Sequence, residues 1–166
     1  MATRVLRDKK KILRKIANEI VAEEKSFHIL NKINILFVWR LGDLPRYDEE
    51  SRQVLAQTRR LPSRERDVYG YDVEVEVFKQ AWKRLGPKKQ RRVIWHELNH
   101  IEIEQGENFK PNRDKDGRIL IEIRSHDVVI TTFNAELDKF GLSGHDVPTA
   151  VALTTALKKK KKKDNK

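Results

Sequence analysis

The stretch Val93-Ile94-Trp95-His96-Glu97-Leu98-Asn99-His100-Ile101 decides how the rest of the chain is read. Histidines four residues apart lie one turn apart on the same face of an α-helix, so both imidazoles can converge on one ion. Zinc–nitrogen bonds of about 2.0–2.1 Å demand that convergence. Glu97 stands one step along from His96, beside the ion and not on it, where a carboxylate can take a proton from an ion-bound water. The apolar Val93-Ile94-Trp95 in front turns this face inward, and Val93, His96, Glu97, His100 and Glu104 share a stripe at helical spacing. Pro87 suits a first helical position, and the pattern predicts a helix from there to about Gln105.

His-Glu-x-x-His is the arrangement of zincin metallohydrolases. A catalytic zinc keeps three protein ligands and one open position, so a third ligand must come from elsewhere. The metzincin continuation is excluded, because Ile103 and Gly106 stand where that subclass needs Gly and His. The leading candidate is His126, which heads an apolar stripe of Ile130, Phe133, Leu137 and Phe140 on a helix that Ser125 can cap and Gly141 closes. Asp127, Glu122 and Glu136 are the other candidates.

Upstream, Ile12, Leu13, Ile16, Ile20 and Val21 recur at three- and four-residue steps, predicting an amphipathic helix over 9–24 whose basic start faces solvent. Residues 33–39 are β-branched and aromatic and predict a buried strand; Val54, Ala56 and Thr58 alternate in a second, over 53–59. Tyr71, Val73, Val75 and Val77 alternate with Asp72, Glu74 and Glu76, predicting a strand with one packed face and one wet, acidic face. A zincin commonly lays an extended substrate along the sheet edge before the motif helix, which gives this acidic strand its interest. Residues 78–85 predict a short helix, 106–117 a polar loop, 119–123 a strand and 148–157 a terminal helix. Asn112, Asp114, Asp116 and Gly117 imitate a calcium loop, but its twelfth position is Ile123 and not a bidentate Glu, so they read as a tight polar turn.

The net charge of +11 is divided unevenly. Residues 1–15 carry +6, residues 158–166 another +6, and the body between them only −1. The basicity therefore belongs to two ends and not to a groove of the domain. The run 158–163 cannot bury anything and predicts a disordered tail, able to hold nucleic acid without sequence preference. No segment approaches the roughly 20 apolar residues that span a bilayer, so no membrane insertion is expected. The absence of cysteine leaves a metal to His, Asp and Glu, and with no secretory h-region it fits a cytoplasmic, intracellular setting. Trp39, Trp82 and Trp95 sit among apolar neighbours and read as core, not as a base-stacking platform.

Taken together, Trp95-His96-Glu97-Leu98-Asn99-His100-Ile101, then Ser125-His126-Asp127-Val128, Phe133 and the Phe140-Gly141 ending, resemble a family of small phage metallopeptidases over residues 9–142. Val129 and Ile130 stand where that family often has acidic residues, and Glu102 where zincin helices are usually apolar. The resemblance implies a zincin-like domain with Zn²⁺ held by His96, His100 and His126, acting on peptide or protein in the host cytoplasm. The expectation is thus an α+β, zincin-like single domain over 1–157, with a small mixed sheet, an active-site helix and a C-terminal helix, followed by the tail 158–166. Its activity would be zinc-dependent peptide-bond hydrolysis with Glu97 as base. The rival is a nucleic-acid-associated binding protein that uses its basic ends, its zinc site structural or inactive.

Overall fold

The computed structural model describes residues 4–42 and 54–125. His126, the helix expected behind it, the terminal helix over 148–157 and the lysine tail lie outside these residues.

The first ten residues contain an element the charge pattern conceals. Arg4–Arg7 form a strand, β1, antiparallel to β2, Ile35–Leu41. The chain then reverses on Asp8, a buried carboxylate held by three donors: the Leu13 N–H at 2.7 Å, the Arg14 N–H at 3.3 Å and the Trp39 indole N–H at 3.2 Å. Two of these are the otherwise orphaned amides that begin α1, Ile12–Glu23, so one aspartate starts the helix and ties it to the sheet. Helix α1 buries Leu13, Ala17, Ile20 and Val21, as its periodicity predicts, and a 3-10 segment over Lys25–Lys32 leads into β2.

The remaining strands of this sheet are β3, Ala56–Arg60, and β4, Val73–Phe78. Their order is β1-β2-β4-β3, with β2 and β4 parallel and both outer pairs antiparallel, which makes a small mixed sheet in an α+β arrangement. Between β3 and β4 lies α2, Ser63–Tyr69; after β4 come α3, Lys79–Trp82, and the motif helix α4, Pro87–Asn99, with proline at its start as expected. Among the described residues no helix is long and apolar enough to cross a membrane.

Register decides what faces α4. Phe37, Val75 and Thr58 sit side by side across three strands, as do Trp39, Val77 and Ala56. Neighbours in register point to the same side, so Thr58 lies on the apolar face with Val73, Val75 and Val77, all three of them fully buried. Ile94, Trp95 and Leu98 of α4 are buried as well, and Phe27 meets Trp95 edge-on with ring centroids 5.5 Å apart. Trp39 and Trp82 make a similar contact at 5.6 Å, so all three tryptophans are core, as expected.

The acidic strand departs from expectation in two ways. Its polar face is not wet: Glu76 is buried and paired with Arg40, while Glu74 accepts from Arg59 at 2.7 Å. Nor is β4 an edge, since β2 and β3 flank it and β3 ends the sheet. Period-two alternation identifies which side chains share a face but is blind to arginines brought alongside by neighbouring strands.

The motif helix also stops earlier than its stripe suggests. It ends at Asn99, and Ile101–Ile103 form β5, antiparallel to β6, Ile121–Ile123. Glu104 therefore has no place on the helix face. Two identical Ile-Glu-Ile triplets pair, burying Ile101, Ile103 and Ile121 while Glu102 and Glu122 stay exposed. Helical spacing and strand alternation coincide over so short a run, and cross-strand pairing decides between them. This also accounts for Glu102, which is a solvent-facing strand residue.

The hairpin's far end is the expected polar turn. Asp114 accepts the amides of Asp116 and Arg118, each at 2.9 Å, and its other oxygen takes the Arg118 guanidinium at 2.9 Å. That guanidinium bond, with the backbone bonds, holds the Asp114 carboxyl below its ordinary value of 3.8. Its contribution to the turn is therefore complete at neutral pH and lost as pH falls through the lowered value. The Arg118 amide resonance in NMR should titrate with a midpoint below 3.8, and the step should vanish in Asp114→Asn.

Candidate metal centre

His96 projects from the last turn of α4, and His100 caps it with dihedrals still helical, φ −68° and ψ −20°. The helix thus lasts just long enough for the four-residue spacing to work. The two rings approach with centroids 5.0 Å apart. Ligating atoms of His96, Glu97 and His100 all lie within 4.8 Å of one another, the sole such grouping among the described residues. Glu122, exposed on β6, is not part of it.

Glu97 is 5% exposed, the most buried carboxylate described. The Thr58 hydroxyl donates to its Oε2 at 2.6 Å and sits 3.1 Å from its backbone oxygen. One carboxyl oxygen is thereby oriented by the end strand of the sheet. The alternation of Val54, Ala56 and Thr58 already put Thr58 on the inward face; its meaning appears only with Glu97 beside it.

His100 is fixed from the hairpin. Its Nδ1 lies 2.7 Å from the Arg124 carbonyl oxygen, and the Arg124 N–H donates back to the His100 carbonyl at 2.9 Å. A carbonyl only accepts, so Nδ1 must carry the proton, and in the neutral ring Nε2 then keeps its lone pair for a metal. Arg60 of β3 donates to the Ile121 carbonyl of β6 and Arg66 of α2 to that of Ile119 just before it, both at 3.0 Å, clamping the hairpin to β3, which carries Thr58, and to α2. Sequence reasoning missed Arg60, Arg66 and Arg124, because two of them donate to main-chain carbonyls and the third acts through its own backbone, which no side-chain pattern records.

Two imidazoles and a buried carboxyl, their nitrogen and oxygen atoms within 4.8 Å of one another, make a grouping that could hold a metal ion. Comparison with known families agrees: the model of the family described as putative phage metallopeptidase matches residues 7–154, and the chain belongs to that family. The family implies a metal ion, and the His96–Glu97–His100 grouping fits one. No curated protein and no solved structure matches the chain.

Proposed function

We propose that the protein is a zinc-dependent peptidase of zincin type, acting in the cytoplasm of a phage's host, with His96, His100 and His126 as ligands and Glu97 as general base. The observation that carries this reading is the buried Glu97 carboxyl beside two imidazoles, the ligating atoms of all three lying within 4.8 Å of one another. Bound there, Zn²⁺ would supply Lewis-acid polarisation of the scissile carbonyl and lower the pKa of a water towards ~7. Glu97, with Oε2 held by Thr58, accepts a proton from the attacking water on its other oxygen and returns it to the departing amine. His100, with Nδ1–H fixed on the Arg124 carbonyl, presents Nε2 in the tautomer a ligand needs. An extended peptide laid along β3, the strand that ends the sheet, would run past Thr58 and so past the carboxyl.

His126 stands two residues beyond Arg124, whose backbone is tied to His100.

The protein purified at neutral pH should carry one zinc per chain by elemental analysis and cleave an unstructured protein substrate. Chelation should remove both properties, zinc should restore them, and His96→Ala should lack both. A zinc content well below one per chain, unchanged by His96→Ala, defeats the proposal.

Thr58→Val keeps the volume and removes the hydroxyl. It should lower stability by about 1.5–3 kcal/mol, the worth of a hydrogen bond to a charged group, and reduce kcat more than it changes KM. Zinc content should stay at that of the parent, and Thr58→Ser should recover most of the loss.

A further inference from the structure

A concavity lies at the other end of the sheet from β3. It is a cavity of about 610 Å³ between the β1–α1 reversal and the C-terminal end of α2, lined by Arg7, Lys9, Lys11, Arg14, Tyr69 and Tyr71. Nothing in the peptidase reading uses it. We propose that this groove binds single-stranded nucleic acid, its cations on the phosphates and Tyr69 against a base.

Its charge is one-sided. Four cations line it against one carboxylate, Asp8, and that carboxylate is buried and engaged by three donors of its own fold. An entering anion therefore meets positive charge without an exposed opposing group. The cations differ in how they are held. Arg14 is half-buried and oriented, donating to the Ile35 carbonyl at 2.6 Å with its guanidinium over the Phe37 ring. Arg7 lies over the Tyr71 ring, 5.9 Å from its centroid. Lys9 and Lys11 are exposed at the rim, and Lys11 is held there by a left-handed backbone, φ 54°. Two guanidiniums held by ring contacts, with two exposed ammoniums at the rim, suit a flexible phosphate chain.

The aromatic component selects single strands. Tyr69 is 56% exposed at the end of α2, which Gly70 stops with a left-handed turn at φ 69°. An exposed ring beside a basic groove stacks on an unpaired base of any identity, whereas a duplex hides its base faces. This site differs from the expected lysine tail and corrects the expectation that no groove of the domain holds the basicity: Arg7, Lys9, Lys11 and Arg14 of the N-terminal end line one, beside an aromatic that the charge tally ignores.

The test is fluorescence anisotropy of a labelled oligothymidylate with the full chain, over a series of salt concentrations. Full-length Lys9→Gln/Lys11→Asn removes two rim charges, asparagine being tolerant of the left-handed backbone at position 11. It should weaken binding at low salt and reduce the salt slope by about 1.4, since each phosphate contact on a single strand contributes about 0.7. Tyr69→Ala should weaken binding about fivefold or more and leave the slope unchanged. A full-length variant with Lys158 to Lys163 all changed to Gln should retain both effects. The proposal fails if the parent does not bind, if the rim variant binds like the parent, or if the tail variant abolishes binding. It fails equally if a duplex of the same length binds as tightly and Tyr69→Ala changes nothing. Should the double variant melt early, Lys9→Gln alone gives the same comparison with half the slope change.

Discussion

Exchanging Glu97 for glutamine is expected to cut peptide hydrolysis by about 10²–10⁴-fold, the usual contribution of a general base, while zinc content stays at one per chain. The two measurements separate because the proposal gives the residue two tasks. As a side chain it fills a buried position that accepts from Thr58, and the glutamine amide oxygen can still take that hydroxyl at its 2.6 Å station. As the proposed base it would have to gain and release a proton, which an amide cannot do at neutral pH. The loss should therefore fall on kcat, with KM nearly unchanged. A variant that retains zinc and hydrolyses at the parent rate removes Glu97 from its role; one that loses zinc makes Glu97 a ligand.

The second large effect is expected at His126. If it completes the centre, His126→Ala should weaken zinc binding by more than the roughly 100-fold that loss of an outer hydrogen-bond partner costs, and abolish hydrolysis with it. Asp127→Ala should leave affinity close to that of the parent. The reason lies in the hairpin: Arg124, two residues before His126 in sequence, makes reciprocal bonds with His100, a proposed ligand. Competition titration with a chromogenic chelator measures both variants. Equal affinities for parent and His126→Ala, with a loss in Asp127→Ala or Glu136→Ala, would transfer the third position to that carboxylate.

The hairpin carries a further expectation. Weakening its hold on β3 and α2, through Arg60→Ala or Arg66→Ala, leaves each donor atom in place along the chain but loosens the frame that aims His100. Zinc affinity should then drop within the 10- to 100-fold range of an outer-shell change, without loss of stoichiometry at saturating metal.

Much of this was readable residue by residue. The His-Glu-x-x-His spacing on a helix opened by Pro87, the apolar stripe of α1, the alternation of Val73, Val75 and Val77 and the Asp114 turn all depend on periods of two to four residues, and all are found where those periods place them. The failures share one cause. Glu104 looked helical because it kept step with His96 and His100, and only pairing with residues some 20 positions away made 101–103 a strand. Glu74 and Glu76 looked wet because their partners, Arg59 and Arg40, arrive from other strands. Residues 4–7 entered only as part of a charge tally, although β2 draws them into the sheet.

By itself, then, the order of residues determined which side chains could share a turn, a face or a cap, since those relations are set by backbone repeat over a few positions. The tertiary structure alone decided how Glu97 and His100 are aimed: Thr58 is 39 residues from the one and Arg124 is 24 from the other, and contacts at such separations exist only once the sheet and hairpin have closed.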